Sequence, residues 1–461
     1  MGLGNLGGGA NTAKWLIKKG ARLTVTDLKP KEKLSESLRI LKPFSKNVTF
    51  VLGRHRKEDF SNNDIVVVNP DVPLRNPYIK IAVDNKKQIE NELTLFYKYA
   101  PFSNIVSVTG TRGKTTVTNW AGYLLKAKYK KSVMGGNSPD APLLNAIERC
   151  KKNIPVTIET PSFLLEYSGN FKPHIAVITN LYRDHQNRYK NMEEYAAIKS
   201  NIFKNQKSGD FLILNYDNNW TNFFIKQKPK SKILFFSLKN LPIKYDGAFV
   251  KNGEVFIRNK GKEILLCNAD YFTSRWGMHN LENIMASALA AFLSGVSIAQ
   301  INKRINNLPQ IKFRQELVYN DKILSIYNDT SATSPEGTIA ALNRFGGRGN
   351  NLILITGGTD RELDFKSWAK TVKKLLNPKN VIFLDGSATD KMKKELKWNR
   401  AKEQKNLKEC LSVALKEVSR GRKNIILFSP SSKSFEKFKN EYDRGEKFNK
   451  LIHETFYSKR N

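Results

Sequence analysis

The chain has 461 residues, too many for one ordinary hydrophobic core, so its length predicts two or three domains. Its 78 Lys and Arg against 42 Asp and Glu give a formal net charge of +36, which suits nucleic acid, an anionic membrane or phosphorylated small substrates. The lysines are spread through nearly every segment and form no single run. We therefore interpret them as a solvated surface that favours anionic ligands only incidentally.

Cysteine spacing argues against a cysteine-based metal or redox site, and hydropathy argues against a membrane-spanning or exported protein. Cys150, Cys267 and Cys410 lie too far apart for the spacing of a metal site or a redox pair. No apolar run approaches the roughly 18 residues of a membrane span, and the N-terminus opens with glycines, unlike a signal peptide. We expect a soluble cytoplasmic protein with no membrane partner.

The N-terminal stretch "MGLGNLGGGANTAKWLIKKGARLTVTDLKP" combines a glycine turn, a helical pattern and a strand that ends at Asp27. This order is typical of a dinucleotide-binding βαβ unit. The strand that should precede Gly2 is missing, so either the chain has been started downstream of it or the sheet is incomplete; we favour the first explanation. A strand in "NDIVVVNPDVP" completes a Rossmann-like domain at residues 1–100.

Short β-branched strands separated by helical patterns fill the rest of the chain. The strands in "SNIVSVTG", "PVTIETPSF", "HIAVITNLYRDH" and "DFLILNYD" predict a parallel sheet with crossover helices at residues 101–309. A third region, 310–461, begins near "FRQELVYNDKILSIYNDTSAT" and has strands in "NLILITGG", "NVIFLDG" and "NIILFSPSS". The sequence therefore predicts an α/β protein of three domains.

The segment "VSVTGTRGKTTVTNW" places glycines between a buried strand and a helix. Such a loop offers a triphosphate inward-pointing N–H groups, a cation and a hydroxyl for Mg²⁺. Val108 stands where these loops usually have their first glycine, so the segment alone leaves an ordinary strand-to-helix turn open. The residues with these properties are Gly110, Gly113, Lys114, Thr115 and Thr116.

Two other predicted strands end in reactive side chains, Glu159 after "VTI" and Asp184-His185 after "AVITN". Ligands of open parallel sheets sit beyond the carboxyl ends of the strands, so we expect these groups beside the loop, where they suit Mg²⁺. Lys199, taken alone, is more typical of a surface lysine. Asn283 either contacts an adenine or caps its helix.

Ten segments, in order along the chain, resemble the Mur ligase family. The resemblance covers essentially the whole chain and implies a UDP-binding N-terminal domain, a central P-loop ATPase, and a Rossmann-like C-terminal domain that closes over the nucleotide and brings an amino acid. The segments are "TGTRGKTT", "GGNSPDAPLL", "IETPSFLLE", "NLYRDHQNRY", "YAAIKSNIF", "HNLEN", "FRQE", "YNDTSAT", "GGTDRELDF" and "FSPSSKSFEKFKNEYDRGEKF".

The resemblance also implies site residues, carried over by position. The implied ATP-binding residues are Gly110, Thr111, Arg112, Gly113, Lys114, Thr115, Thr116, Asn283, Arg314 and Asp329. The implied metal ligands are Thr115, Glu159, His185 and a carbamylated Lys199, and the implied catalytic residues are Lys114, Glu159, His185 and Lys199. The implied substrate-binding residues are Asp27, Lys29, Asn137, Arg361 and Ser434.

The implied activity is that of an ATP- and Mg²⁺-dependent ligase adding D-glutamate to UDP-N-acetylmuramoyl-L-alanine through an acyl phosphate. This reaction belongs to peptidoglycan synthesis in the cytoplasm, and hence to cell-wall biogenesis, cell shape, division and the cell cycle. A carboxylate is a poor electrophile, so phosphoryl transfer must activate it before an amine attacks. We expect a monomer that binds no nucleic acid.

Four positions depart from the family pattern. The family's usual Asn in the phosphate loop is Arg112, and an aromatic residue in the C-terminal helix is Glu441. The lysine that would pair with a D-glutamate carboxylate is Ser331, and a lysine after the Gly-Gly turn is Arg361. Because a buried carboxylate without its cation is unfavourable by about 3 kcal/mol, either Lys433 or Arg361 replaces the lysine, or the acceptor is another amino acid.

Three alternatives remain at this point. A folylpolyglutamate or poly-γ-glutamate type of ligase would share the ATPase domain, but those relatives lack the glycine-rich N-terminal domain. A nucleic-acid-binding NTPase should show a concentrated basic face with exposed aromatics, against which the dispersed lysines argue. An inactive ATP-binding scaffold has no need of Glu159, His185 and Lys199 together.

Overall fold

The structure, a computed structural model, describes residues 1–4, 7–73, 75–101, 104–136, 142–347, 349–360, 362–398 and 402–458. The chain forms two compact units. The first comprises Met1–Asp270 with Asn280–Leu308, and the second comprises Tyr271–His279 with Pro309–Asn461. The predicted domain boundaries at residues 100 and 309 stay predictions.

The N-terminal part of the first unit contains two small parallel sheets, β1–β2 and β3–β4. Gly2 N donates to Thr26 O, and Asn69 N donates to Met1 O, so the first two residues lie between these sheets. The elements are α1 (Gly8–Lys18), β1 (Leu23–Asp27), α2 (Ser35–Leu41), β2 (Val48–Leu52), α3 (Glu58–Ser61), β3 (Ile65–Val67), α4 (Pro77–Asp84), β4 (Gln88–Glu90) and α5 (Glu92–Tyr99).

The remainder of the first unit is built on a nine-stranded sheet. Its elements begin with β5 (Ile105–Thr109), α6 (Lys114–Leu125), β6 (Val133–Gly135), β7 (Val156–Glu159), α7 (Ser162–Leu165), β8 (Ile175–Ile178), α8 (Met192–Ser200), β9 (Phe211–Asn215) and α9 (Thr221–Lys226). They continue with β10 (Lys232–Ser237), β11 (Gly247–Lys251), β12 (Glu254–Asn259), β13 (Lys262–Asn268), α10 (Ala269–Trp276), α11 (His279–Leu293) and α12 (Ile298–Ile305). Of these, α10 belongs to the second unit from Tyr271 onward.

The strand order is β13-β12-β11-β10-β9-β8-β5-β7-β6, and all five residues of β5 are buried. The predicted parallel sheet is correct from β6 to β11, but β11, β12 and β13 pair antiparallel. Their connections contain Asn252-Gly253 and Lys260-Gly261, all with positive φ. Such residue pairs favour tight hairpins, which is why the chain turns back here without a crossover helix.

The second unit contains a six-stranded sheet of order β14-β15-β19-β16-β17-β18, parallel except for β14. Alternate residues of β16 enter two separate core clusters, so both faces of the sheet are covered, as a Rossmann-like domain requires. Its elements are β14 (Glu316–Asn320), β15 (Leu324–Asn328), α13 (Pro335–Phe345), β16 (Asn351–Thr356), α14 (Lys366–Leu375), β17 (Val381–Leu384), α15 (Ser387–Leu396), β18 (Lys402–Gln404), α16 (Leu407–Lys416), β19 (Asn424–Phe428) and α17 (Glu441–Phe456).

Asn91 fixes α5 to the region after β7. Its Oδ1 accepts from Leu93 N and Thr94 N at 2.9 and 3.0 Å, which caps the helix. Its Nδ2 donates to Leu164 O and Tyr167 O at 2.8 and 3.2 Å, and only 2% of the residue is exposed. One buried side chain therefore satisfies four backbone groups.

We expect Asn91→Ala to lower the free energy of unfolding by about 2–3 kcal/mol, because the cap is lost and buried carbonyls are left without donors. Urea unfolding measures this change. Asn406→Ala is the matched control, since Asn406 caps α16 from an exposed position. Its expected loss is about 1 kcal/mol or less, and an equal loss in both variants would contradict the assigned role of Asn91.

Candidate functional site

The glycine loop lies between β5 and α6, where the sequence predicts it. Gly110 and Gly113 have φ of 145° and 81°. A Cβ on Gly110 would lie 1.9 Å from Thr179 Oγ1, and one on Gly113 would lie 2.4 Å from Asn283 Oδ1. Only glycine fits this backbone, and Gly113 directly precedes the first residue of α6.

Residues at the end of β8 hold the loop in place. Thr179 Oγ1 donates to Arg112 O at 2.6 Å, while Asn180 Oδ1 accepts from Arg112 N at 2.9 Å. Thr111 N donates to Asn180 O at 3.0 Å, and Thr111 Oγ1 bonds to the backbone of Tyr182. Sequence reasoning missed Thr179 and Asn180; their position directly after β8, beside the central strand, is the signal that could have found them.

Three strands bring their carboxyl ends together, as predicted. In the parallel ladders, Val108 of β5 pairs with Glu159 of β7, and Thr109 pairs with Ile178 of β8. Thr115 Oγ1, in the first turn of α6, donates to Glu159 Oε2 at 2.8 Å. The loop hydroxyl and the strand-end carboxylate are therefore in direct contact.

Arg112, which departs from the family pattern, has a carboxylate partner. Its guanidinium donates to Asp184 Oδ2 at 3.1 Å, and His185 Nε2 lies 3.9 Å from the same oxygen. Burial acts to raise the pKa of Asp184, but the fields of His185 and Arg112 outweigh it and hold the pKa below its usual value. Asp184 thus joins the loop to the segment carrying His185.

Lys199 is buried, so its interpretation as a surface lysine is wrong. It is 1% exposed, and its Nζ donates to Gly110 O at 2.9 Å and lies 4.6 Å from the centre of the Tyr195 ring. Burial, followed by the positive charge of Lys114, lowers the pKa of Lys199 well below its usual value, while the charges of Asp184 and Glu159 act in the opposite direction. Burial therefore makes the proton of this amine easier to remove than that of an exposed lysine.

The proposed metal ligands meet only in part. Thr115 contacts Glu159, whereas His185 faces Asp184 and Lys199 contacts Gly110. Across the described ranges, no three or more His, Cys, Asp and Glu side chains form a ready metal site. The hydroxyl and carboxylate oxygens of Thr115 and Glu159 are nonetheless the donor types that Mg²⁺ prefers, so the chemistry of this pair fits the ion.

Three implied ATP contacts have defined positions within the loop's own unit. Lys114 Nζ donates to Thr111 O at 3.1 Å, and Thr116 is buried in the first turn of α6. Asn283 lies on α11, where its Nδ2 donates to Asn280 Oδ1 at 2.8 Å and its Oδ1 faces Gly113. Asn283 therefore lies beside the loop.

The other implied ATP contacts, Arg314 and Asp329, belong to the second unit. Asp329 comes directly after β15, and its carboxylate accepts from Gln315 N at 3.1 Å and Ser429 Oγ at 2.8 Å. Burial raises the pKa of Asp329 to about 7, against the effect of these hydrogen bonds. Arg314 lies between Phe313 and Gln315, which both have positive φ.

The implied substrate residues are spread over the chain. Asp27 ends β1, and its carboxylate accepts from Gly4 N at 3.0 Å and Lys29 N at 2.8 Å, so it closes the glycine turn. Ser434 is 2% exposed, and its Oγ has no hydrogen-bond partner within the described part of the chain. Asn137 and Arg361 lie outside the described residues.

Comparison with family models and curated sequences gives consistent matches. Residues 1–90 match the Mur ligase MurD-like, N-terminal domain, and residues 108–291 match the Mur ligase middle domain. A UDP-N-acetylmuramoylalanine--D-glutamate ligase of Borreliella burgdorferi (strain ZS7) is 35% identical over 98% of this chain and 96% of its own. A relative of the same name from Roseiflexus sp. (strain RS-1) is 34% identical over 98% and 97%.

Solved structures share the fold at low sequence identity. The UDP-N-acetylmuramate-alanine ligase MurC of Thermotoga maritima superposes with a TM-score of 0.59 at 19% identity, covering 98% of both chains. MurF of Acinetobacter baumannii gives 0.60 at 15% identity, covering 94% of this chain and 92% of its own. Among the described residues, none of the helices is long and apolar enough to span a bilayer.

The raised pKa of Asp329 predicts that the stability of the fold depends on pH. The folded pKa near 7 exceeds the usual unfolded value of about 4, so only the folded state keeps the proton between these pH values. The free energy of unfolding should therefore fall as pH rises from about 4 to about 7, and Asp329→Asn should remove about 2–4 kcal/mol of this fall. Urea unfolding at several pH values measures it.

Asp321→Asn is the control for this experiment. Hydrogen bonds, led by that from Leu324 N, hold the pKa of Asp321 below its usual value. Its contribution to stability is therefore present above the unfolded pKa and is lost as the pH falls further. A pH profile between 4 and 7 that is unchanged in Asp329→Asn would contradict the burial effect.

Proposed function

The chain belongs to the Mur ligase family, and from that premise we propose that it joins D-glutamate to UDP-N-acetylmuramoyl-L-alanine in peptidoglycan synthesis. It is an ATP-dependent ligase that forms an amide bond. The observation that carries the proposal is the meeting of the glycine loop, Glu159 and the buried Lys199 at one edge of the central sheet. The match of residues 1–90 favours a UDP-linked substrate over the folylpolyglutamate and poly-γ-glutamate alternatives.

The loop residues provide a site for ATP. The N–H groups at the start of α6, in the loop from Gly110 to Thr116, and the Lys114 ammonium suit its phosphates, and we assign Thr111, Arg112 and Asn283 to the rim of this site. Mg²⁺ would be held by Thr115 and Glu159, with His185 and carbamylated Lys199 completing the set, and it supplies positive charge to the phosphates. In the second unit we assign Arg314 and Asp329 to ATP.

The reaction needs no nucleophilic side chain. An oxygen of the substrate carboxylate attacks the γ-phosphorus of ATP, the bond to the bridging oxygen breaks, and ADP leaves. The amine of D-glutamate then attacks the acyl phosphate, loses a proton and expels phosphate. The contribution of Lys114 is electrostatic, since its charge opposes the negative charge that develops on the transferred phosphoryl group.

Burial supports carbamylation of Lys199. Only a neutral amine attacks CO₂, and the reaction gives a carbamate and a proton. The lowered pKa of Lys199 favours that form more than in an exposed lysine. The carbamate places an anion beside Lys114, whose positive charge stabilises it.

The finer parts of the proposal concern substrates and cellular context. We assign Asp27 and Lys29 to the uridine, Asn137 to the UDP-sugar, and Arg361 and Ser434 to the amino acid. We propose a cytoplasmic monomer that binds neither nucleic acid nor membrane. The lysines are dispersed along the chain, which argues against a nucleic-acid-binding face. We also propose three domains, at residues 1–100, 101–309 and 310–461.

Phosphate release from Mg-ATP tests the function. We expect release only when UDP-N-acetylmuramoyl-L-alanine and D-glutamate are both present, with the amide product detected by mass spectrometry. Release with the UDP-sugar but a different amino acid would keep the ligase activity and change the acceptor. Release that is independent of the UDP-sugar would refute the proposal.

We expect Lys199→Ala to lower kcat about 100-fold or more, because the site loses the carbamate. Lys204→Ala, at an exposed position after α8, should retain wild-type kcat. Removing CO₂ should lower wild-type activity and bicarbonate should restore it, and ¹³C-bicarbonate should give a carbamate NMR signal that is absent from Lys199→Ala. Full activity of Lys199→Ala would remove this residue from the mechanism.

A further inference from the structure

Arg444 lies on α17 and is completely buried. Its Nε donates to Thr330 Oγ1 and one Nη to Thr330 O, each at 2.9 Å. The Nη groups also donate to Lys433 O and Ser432 O, each at 3.1 Å. All four acceptors are neutral, so within the described part of the chain no carboxylate is hydrogen-bonded to the guanidinium.

Burying a charge without an ionic partner is unfavourable, and an anion that binds nearby would offset this cost. Burial lowers the pKa of Arg444 to about 9, which still leaves the group cationic at neutral pH. Glu441, at the first residue of α17, is the charged group whose field opposes this shift. The local potential therefore depends on a buried cation and on one partly exposed carboxylate.

The four hydrogen bonds join two segments that the acceptor amino acid is expected to meet. Thr330 directly precedes Ser331, the position at which the family lysine is missing. Ser432 and Lys433 directly precede Ser434, whose buried Oγ has no hydrogen-bond partner among the described residues. An unsatisfied hydroxyl in a segment that a buried cation holds by its backbone is suited to a carboxylate oxygen.

Close packing holds Arg444 in position against both segments. A Cβ on Gly445 would lie 2.6 Å from Thr330 Cγ2, so α17 lies closer to Thr330 than any residue other than glycine at position 445 would permit. A Cβ on Gly358 would lie 2.7 Å from Lys433 O and 3.4 Å from an Arg444 Nη. The arginine and its two segments therefore form one rigid arrangement.

We propose that Arg444 is a positioning and specificity-determining residue for the acceptor. Its buried charge favours an acceptor with a side-chain carboxylate, in place of the lysine replaced by Ser331, and its hydrogen bonds hold Ser434 ready to donate to that group. Glu441 weakens this preference. The inference rests on the proposed function, because it concerns the amino-acid site of the same reaction.

The test compares D-glutamate with D-glutamine, which have nearly the same shape but end in a carboxylate and in a neutral amide, respectively. The measured quantity is the ratio of their kcat/KM values in phosphate release with saturating UDP-N-acetylmuramoyl-L-alanine. Arg444→Met should lower the ratio about 10-fold or more, whereas Arg444→Lys, which keeps the charge, should lower it less than about 3-fold. Glu441→Gln should raise the ratio about 2- to 5-fold, with KM for ATP unchanged.

The following results would contradict the inference. An equal loss with both acceptors in Arg444→Met would show a purely structural role. A ratio that collapses in Lys433→Met but not in Arg444→Met would assign the cation to Lys433. If Arg444→Met does not fold, Glu441→Gln decides, and an unchanged or lowered ratio in that variant refutes the charge effect. Absence of D-glutamate-dependent release by the wild type would refute the proposed function itself.

Discussion

The site depends on the close packing of the glycine loop that follows β5. Gly110 lies so close to Thr179, and Gly113 so close to Asn283, that a single added carbon would collide with either. These contacts force the backbone into conformations open only to glycine, and the bonds to Asn180 then hold it there. The loop is therefore shaped before a ligand arrives, and charge stabilisation needs little reorganisation.

Buried charge is the second organising feature, and the two units use it differently. Burial of Lys199 disfavours its charged form and lowers its pKa well below the usual value. Asp329 keeps its proton up to about pH 7, so it serves as a neutral hydrogen-bonding group over much of the acidic range. Arg444 keeps its charge and surrounds it with neutral oxygens.

The meeting of the strand ends at the loop was predictable from the sequence, whereas the individual hydrogen bonds around the loop were not. Parallel strands had to bring Glu159 and His185 to the edge where the glycine loop lies, and the structure places them there. No spacing rule marks Thr179 or Asn180, which act through backbone groups. Burial of Lys199 was equally hidden, because a lysine in a polar helical pattern is usually exposed.

If Arg444 acts as inferred, one substitution changes the physical basis of acceptor specificity. A lysine in contact with a carboxylate selects by a short ion pair, which a water molecule or another cation can partly replace. With Ser331 in that position, selection then depends on hydroxyl groups and on a buried charge that acts through low dielectric without contacting the acceptor. Such a field acts over longer distances than a hydrogen bond, so residues such as Glu441, which need not touch the acceptor, become able to tune its choice.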